Sequence, residues 1–164
     1  MKKPVTPATE FASPGLSRIF ASMVYDSLLL AAVSIGYGAL VLGLYVLLFG
    51  QPEAGQRIQW SLPAKLVITA GWLLVLLLFY IYFWQRFGQT LGMKTWRFQV
   101  VDAATNQAVS RRQAIKRSLA ALFSLVFFGI GYWFALLHPQ RRLLHDIASG
   151  TKLILLKKKV KNIP

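Results

Sequence analysis

The sequence predicts a mainly α-helical, polytopic integral membrane protein with three hydrophobic helical segments and a small basic cytoplasmic sub-domain. Three observations carry that expectation. Hydrophobic residues make up 55% of the 164 and charged residues 15%, whereas soluble domains sit at roughly 45–50% apolar and ~25% charged. Lys and Arg number 19 against five acids, giving a net charge of +14. The apolar residues are concentrated in runs at about 19–49, 66–85 and 118–138, long enough to face a bilayer's ~30 Å hydrocarbon core. A basic chain usually raises nucleic-acid binding. Here the cations flank apolar segments, so anionic lipid headgroups are the expected partner and nucleic acid is not. The chain has no cysteine, which excludes disulfides, thiolate metal sites and a Cys nucleophile.

Residues 1–16 hold three prolines and no apolar run. They read as a mobile tail, not a cleaved signal peptide, because no apolar h-region with a cleavage site follows the basic start. The first apolar run carries one charge, Asp26, in the 31 residues from Ile19 to Phe49. As a helix it would be roughly 46 Å long, more than a span requires. An acid at membrane depth is expensive and marks a functional or specifically paired site. A span of about 20 residues counted back from Phe49 would instead begin near Leu30 and leave Asp26 at the wet interface. Both readings stay open. Ser34 with Gly38, and Ala39 with Gly43, allow another helix to approach closely.

A polar connection from Gly50 to Pro63 includes Trp60, a residue suited to the membrane interface. The run Leu66–Gln85 is uncharged between Lys65 and Arg86 and is the clearest span. Tyr80, Tyr82 and Trp84 near its end read as an aromatic belt.

From Gln85 to Arg117 seven cations face one acid, Asp102, which places this stretch in the cytoplasm. Within it Thr95–Val101 is strand-like, Asp102–Asn106 turn-like, and Ser110 is placed to cap a helix that opens with Arg111 and Arg112. Arg111, Arg112, Lys116, Arg117, Arg141 and Arg142 are expected to face anionic headgroups. The third run is interrupted at Gly129–Gly131 and followed by a second group of seven cations, ending in a basic tail at 157–164. If this run crossed the membrane, one of the two cation groups would lie outside, against the positive-inside rule. A re-entrant hairpin turning at the glycines resolves the conflict, provided protein buries the break. It also lets Lys152–Leu156 pair as a strand with Trp96–Val101. By length alone a third span is the ordinary reading.

Gly88, Gln89, Thr90, Gly92 and Lys94 form a glycine-bearing element beyond the second run. Such an element either turns the chain sharply or exposes N–H groups to an anion or headgroup. It lacks a Gly-Lys-Ser/Thr ending, so nucleotide binding has no support. His145 beside Asp146 falls short of a metal site, which needs three or four ligands. No nucleophile motif is present. No metal, cofactor or enzyme activity is expected. Asp146 either caps a helix or ties down Arg18 or Arg117 by a charge-assisted bond.

Arg18 placed before Tyr25-Asp26, the run Gly88–Lys94, Phe98–Asp102, Arg117 and the run Leu144–Thr151, in this order, resemble the RDD family of bacterial membrane proteins. The resemblance covers nearly the whole chain from Arg18 to about Leu156, with Leu91 standing where the family often has proline. It implies a bacterial inner-membrane protein with about three hydrophobic helices. It also implies that the arginine and two aspartates of the family name are Arg18, Asp26 and Asp146. A role in transport, including cation/proton antiport, has been proposed for the family. Two partly dehydrated carboxylates near a guanidinium could exchange a proton for a monovalent cation. Arg18 and Asp26 differ by about 80° and ~12 Å on a helix, so each would need a partner from another segment. So few helices offer little wall for a pathway, so transport would require a homo-oligomer or a membrane partner. In the rival reading the protein is a non-catalytic accessory or lipid-binding protein, and the three residues are a structural staple.

Overall fold

A computed structural model describes residues 12–53, 55–137 and 142–156. The chain divides into two compact units, one holding the residues up to Asp26 together with those from Tyr80 onward, the other Ser27–Phe79. Two long helices, α1 (Leu16–Phe49) and α2 (Leu62–Phe87), run through both. Each is long and apolar enough to cross a membrane. Pro63 sits in the first turn of α2, where its missing N–H costs nothing. Gly88, at φ +70°, ends α2 and donates its N–H to the Trp84 carbonyl at 3.0 Å.

In the Ser27–Phe79 unit the Tyr37 hydroxyl donates to the Ile68 carbonyl at 2.8 Å, and Trp72 Nε1 donates to Ser34 Oγ at 2.9 Å. Gly71 leaves room for the Tyr37 hydroxyl. Among the described residues Gly38 and Gly43 face open space, whereas Ser34 receives Trp72 of α2.

The other unit continues with a one-turn helix α3 (Leu91–Thr95), strand β1 (Phe98–Asp102), α4 (Arg111–Val126), α5 (Ile130–Leu137), α6 (Leu144–Ser149) and strand β2 (Thr151–Leu155). The strands pair antiparallel with Val100 opposite Leu153 and Asp102 opposite Thr151, close to the pairing read from the sequence. Ser110 and Gln113 form a capping box at the start of α4, as the sequence signals. In the turn after β1, Asp102 accepts the N–H groups of Ala104 and Thr105 and the Gln113 side-chain amide. Those bonds hold its carboxyl down at about 2.

The third apolar run is not a straight helix: α4 and α5 meet at 95°. The break is Phe127–Gly129, with Phe128 at φ +53° and 96% exposed, and Gly129 at φ +72°. Taken as one bent span it would raise the number of crossings from two to three. The core of this unit is Ile19, Met93, Phe98, Val100, Ala114, Leu143 and Leu153, with Trp84 among them. Trp84 is therefore not part of a lipid-facing belt, although Tyr82 is exposed. The expected tail at 1–16 is held from Ala12 on: the Ala12 carbonyl accepts the Leu155 N–H at 3.0 Å, and Pro14 is buried. The rest of that stretch and the expected tail at 157–164 lie outside the described residues.

Candidate functional site

Two buried carboxylates organise the unit that holds the sheet. Asp26, 3% exposed, is presented by α1. The Thr90 hydroxyl donates to Asp26 Oδ2 at 2.5 Å and the Gly92 N–H donates to Oδ1 at 2.9 Å. Thr90 is also the N-cap of α3, its oxygen accepting the Met93 N–H at 3.2 Å. Gly92 is required by space, because a Cβ there would run into the Ser22 carbonyl oxygen. The Gly88 carbonyl takes the Val100 N–H at 2.7 Å, which aims the chain into β1. The glycine-bearing element is thus a turn, and the anion its donors hold is the chain's own Asp26. Gln89 is half-buried and Lys94 is exposed.

Asp146, 1% exposed, lies at the start of α6. Arg117 Nη1 donates to its Oδ1, and the Leu143 N–H donates to its Oδ2 at 3.3 Å, so the same carboxylate pairs a cation and caps a helix. Arg117 Nη1 also donates to Thr151 Oγ1 at 2.8 Å, and Thr151 Oγ1 lies 2.8 Å from the Ser149 hydroxyl. On its other side the guanidinium carbon sits 4.8 Å from the Trp84 ring centroid, a cation–π contact. Arg142 Nη2 donates to the Thr151 carbonyl at 2.8 Å. One arginine from α4 therefore joins α2, α6 and β2. His145 is buried beside this group, edge-on to Tyr132 at 5.0 Å. Burial, and then the nearby Arg117 charge, push its imidazole well below the usual range. It stays neutral at physiological pH.

The model of the RDD family matches residues 12–150. The chain belongs to the RDD family. An uncharacterized protein of Rickettsia prowazekii (strain Madrid E) is 36% identical over 90 residues, 55% of this chain and 50% of that one. The chain thus spans about half the length of this curated relative. No solved structure matches. Family membership and the apolar helices fit an integral membrane protein.

In this RDD-family chain the three residues that the resemblance singled out share no hydrogen bond or ion pair among the described residues. Arg18 is exposed, with no ion pair or side-chain hydrogen bond among the described residues. Arg117, grouped from the sequence with the lipid-facing cations, is instead 3% exposed and takes the place at Asp146. Its exclusion from the surface follows from its hydrogen bonds to two buried oxygens. Arg111, Arg112 and Lys116 are exposed, and Arg142 is half-buried, its guanidinium donating to the Thr151 carbonyl of β2. Arg141 lies outside the described residues, as does His138. Sequence reading missed Thr151, Ser149 and the partnership of Trp84 with Arg117. Among the described residues no group of His, Asp or Glu is placed to hold a metal ion.

Proposed function

We propose that this RDD-family chain is a non-catalytic membrane module whose exposed cations rest on anionic headgroups and whose buried aspartates are structural ties. The observation that carries this reading is where the carboxylate oxygens are spent. Asp26 is bonded to Thr90 and Gly92, and Asp146 to Arg117 and Leu143, all within one chain. An ion carrier must release its carboxylate to take up a cation. The test is cation-induced pH change in proteoliposomes with the protein and Asp26→Asn. The expected result is no response to Na⁺, K⁺ or Li⁺, with Asp26→Asn melting early. Flux in the native protein, lost in a folded Asp26→Asn, would reverse the assignment. It would establish the cation/proton antiport that has been proposed for the family, in a homo-oligomer or with a partner.

In this reading the protein lies in the bacterial inner membrane with its N-terminus and basic sub-domain cytoplasmic. The α4–α5 pair is then a re-entrant hairpin. It is bent by 95°, and the strands that precede and follow it pair with each other. Both of its ends therefore lie on one side, and both cation groups fall on the cytoplasmic face. The native chain has no cysteine, so single cysteines report sidedness cleanly. Gln107→Cys and Ala148→Cys, both at exposed positions flanking the hairpin, are expected to react with an impermeant maleimide in inverted vesicles only. Labelling from opposite sides would make the bent pair a third crossing.

A further inference from the structure

We infer that the groove between α1 and α2 beside residues 57–61 is a binding site for one anionic phospholipid, its phosphate against Lys65 and an acyl chain over Gly38. The groove has a volume of about 330 Å³, at the lower end of the ~300–1,000 Å³ usual for ligand pockets. Val41, Leu42 and Ile68 make its apolar walls. Gly38 keeps it open, since a Cβ built there meets nothing within 4 Å. Its width is fixed from within: the Tyr37 hydroxyl is committed to the Ile68 carbonyl. Trp60 also lines it and is itself held edge-on against Tyr45, with ring centroids 5.1 Å apart. Such a tryptophan marks headgroup depth. The single charged residue in the lining is Lys65, exposed and without an ion pair among the described residues.

An apolar slot ending at one cation at interface level matches an amphiphile with one anionic head and a hydrocarbon tail. A second copy of the chain matches less well. Its two long apolar helices bring a single acid within the membrane runs, Asp26, whose oxygens already accept from Thr90 and Gly92. The site rests on the membrane reading but not on the absence of transport, nor on the basic face of the other unit.

The test is native mass spectrometry of the full chain released from detergent, titrated with phosphatidylglycerol or with phosphatidylcholine of the same acyl chains. One phosphatidylglycerol is expected to be retained per chain, about fivefold more strongly than phosphatidylcholine, the worth of one Lys–headgroup contact. Lys65→Gln should erase that preference. Gly38→Leu should remove retention of both lipids, whereas Gly43→Leu, also in open space but outside the groove lining, should leave it unchanged. Replacing Arg111, Arg112 and Lys116 together by Gln should also leave the retained lipid in place. Equal retention of the two lipids by the native chain would overturn the proposal. So would retention that survives Gly38→Leu or disappears in the triple variant. A dimer mass abolished by Gly38→Leu would give the groove to a second copy instead.

Discussion

Arg117→Met is expected to destabilise the sheet-bearing unit by about 3–5 kcal/mol, the usual cost of leaving one member of a buried ion pair alone. The methionine fills much of the space but leaves the Asp146 carboxylate without its cation, at a site 1% exposed. It also removes the donor to Thr151 and the charge over Trp84. Asp146→Leu should cost a similar amount, because it strands the guanidinium and removes the α6 cap. The double variant is expected to recover a large part of the loss, since two apolar residues replace two charges at once. Arg117→Lys should recover less, because an ammonium lacks the planar guanidinium that sits over the Trp84 ring while Nη1 donates to Asp146 and Thr151. Arg18→Gln, at an exposed position, should stay within ~0.5 kcal/mol of native. Denaturant unfolding in micelles, with hydrogen exchange at the β2 amides, reads all five proteins. A large loss for Arg18→Gln with none for Arg117→Met would restore Arg18 as the partner of an aspartate.

The choice between these two arginines shows where the sequence was legible. The long helices follow from uninterrupted apolar runs. The Ser110 cap and the Asp102 turn follow from local chemistry, and the strand pair from two short strand-like stretches that the charge distribution puts on one side. The identity of the buried arginine did not follow, because the inward face of α4 carries no apolar stripe. Its buried residues are Ala114, Arg117, Ser118 and Ser124, small or polar, so hydrophobic periodicity gave no phase and Arg117 was read with Arg111, Arg112 and Lys116. Asp146 was legible as a cap or an ion-pair partner, and it is both. The 95° break was foreshadowed by Gly129 and Gly131, whereas hydropathy alone runs straight through it. For Asp26, length left an interfacial and a paired reading equally open. Only the return of Thr90 and Gly92 to α1, 64 and 66 residues along the chain, decides for pairing.

Gly92→Ala tests that pairing at its tightest point and should cost about 3 kcal/mol or more. A Cβ at this position meets the Ser22 carbonyl oxygen and lies 2.9 Å from both Asp26 Cγ and Asp26 Oδ1. The side chain of Asp26 could turn away, but the Ser22 carbonyl is part of the α1 backbone and has no such freedom. Relief therefore requires α3 to retreat from α1. That movement breaks the Gly92 N–H bond to Asp26 and pulls Thr90 with it, stranding a buried carboxylate. Overpacking alone costs ~1–3 kcal/mol, and each hydrogen bond to a charged group adds ~1.5–3 kcal/mol. Gly36→Ala and Gly43→Ala are the matched controls: both are helical glycines in open space, where alanine is neutral or stabilising by up to ~1 kcal/mol. Thermal melting of the three variants in micelles makes the comparison. If Gly92→Ala melts with the controls, α3 is not clamped to α1. The donors of the glycine element would then be free for an external anion, and Asp26 would be available for the exchange that a transporter needs.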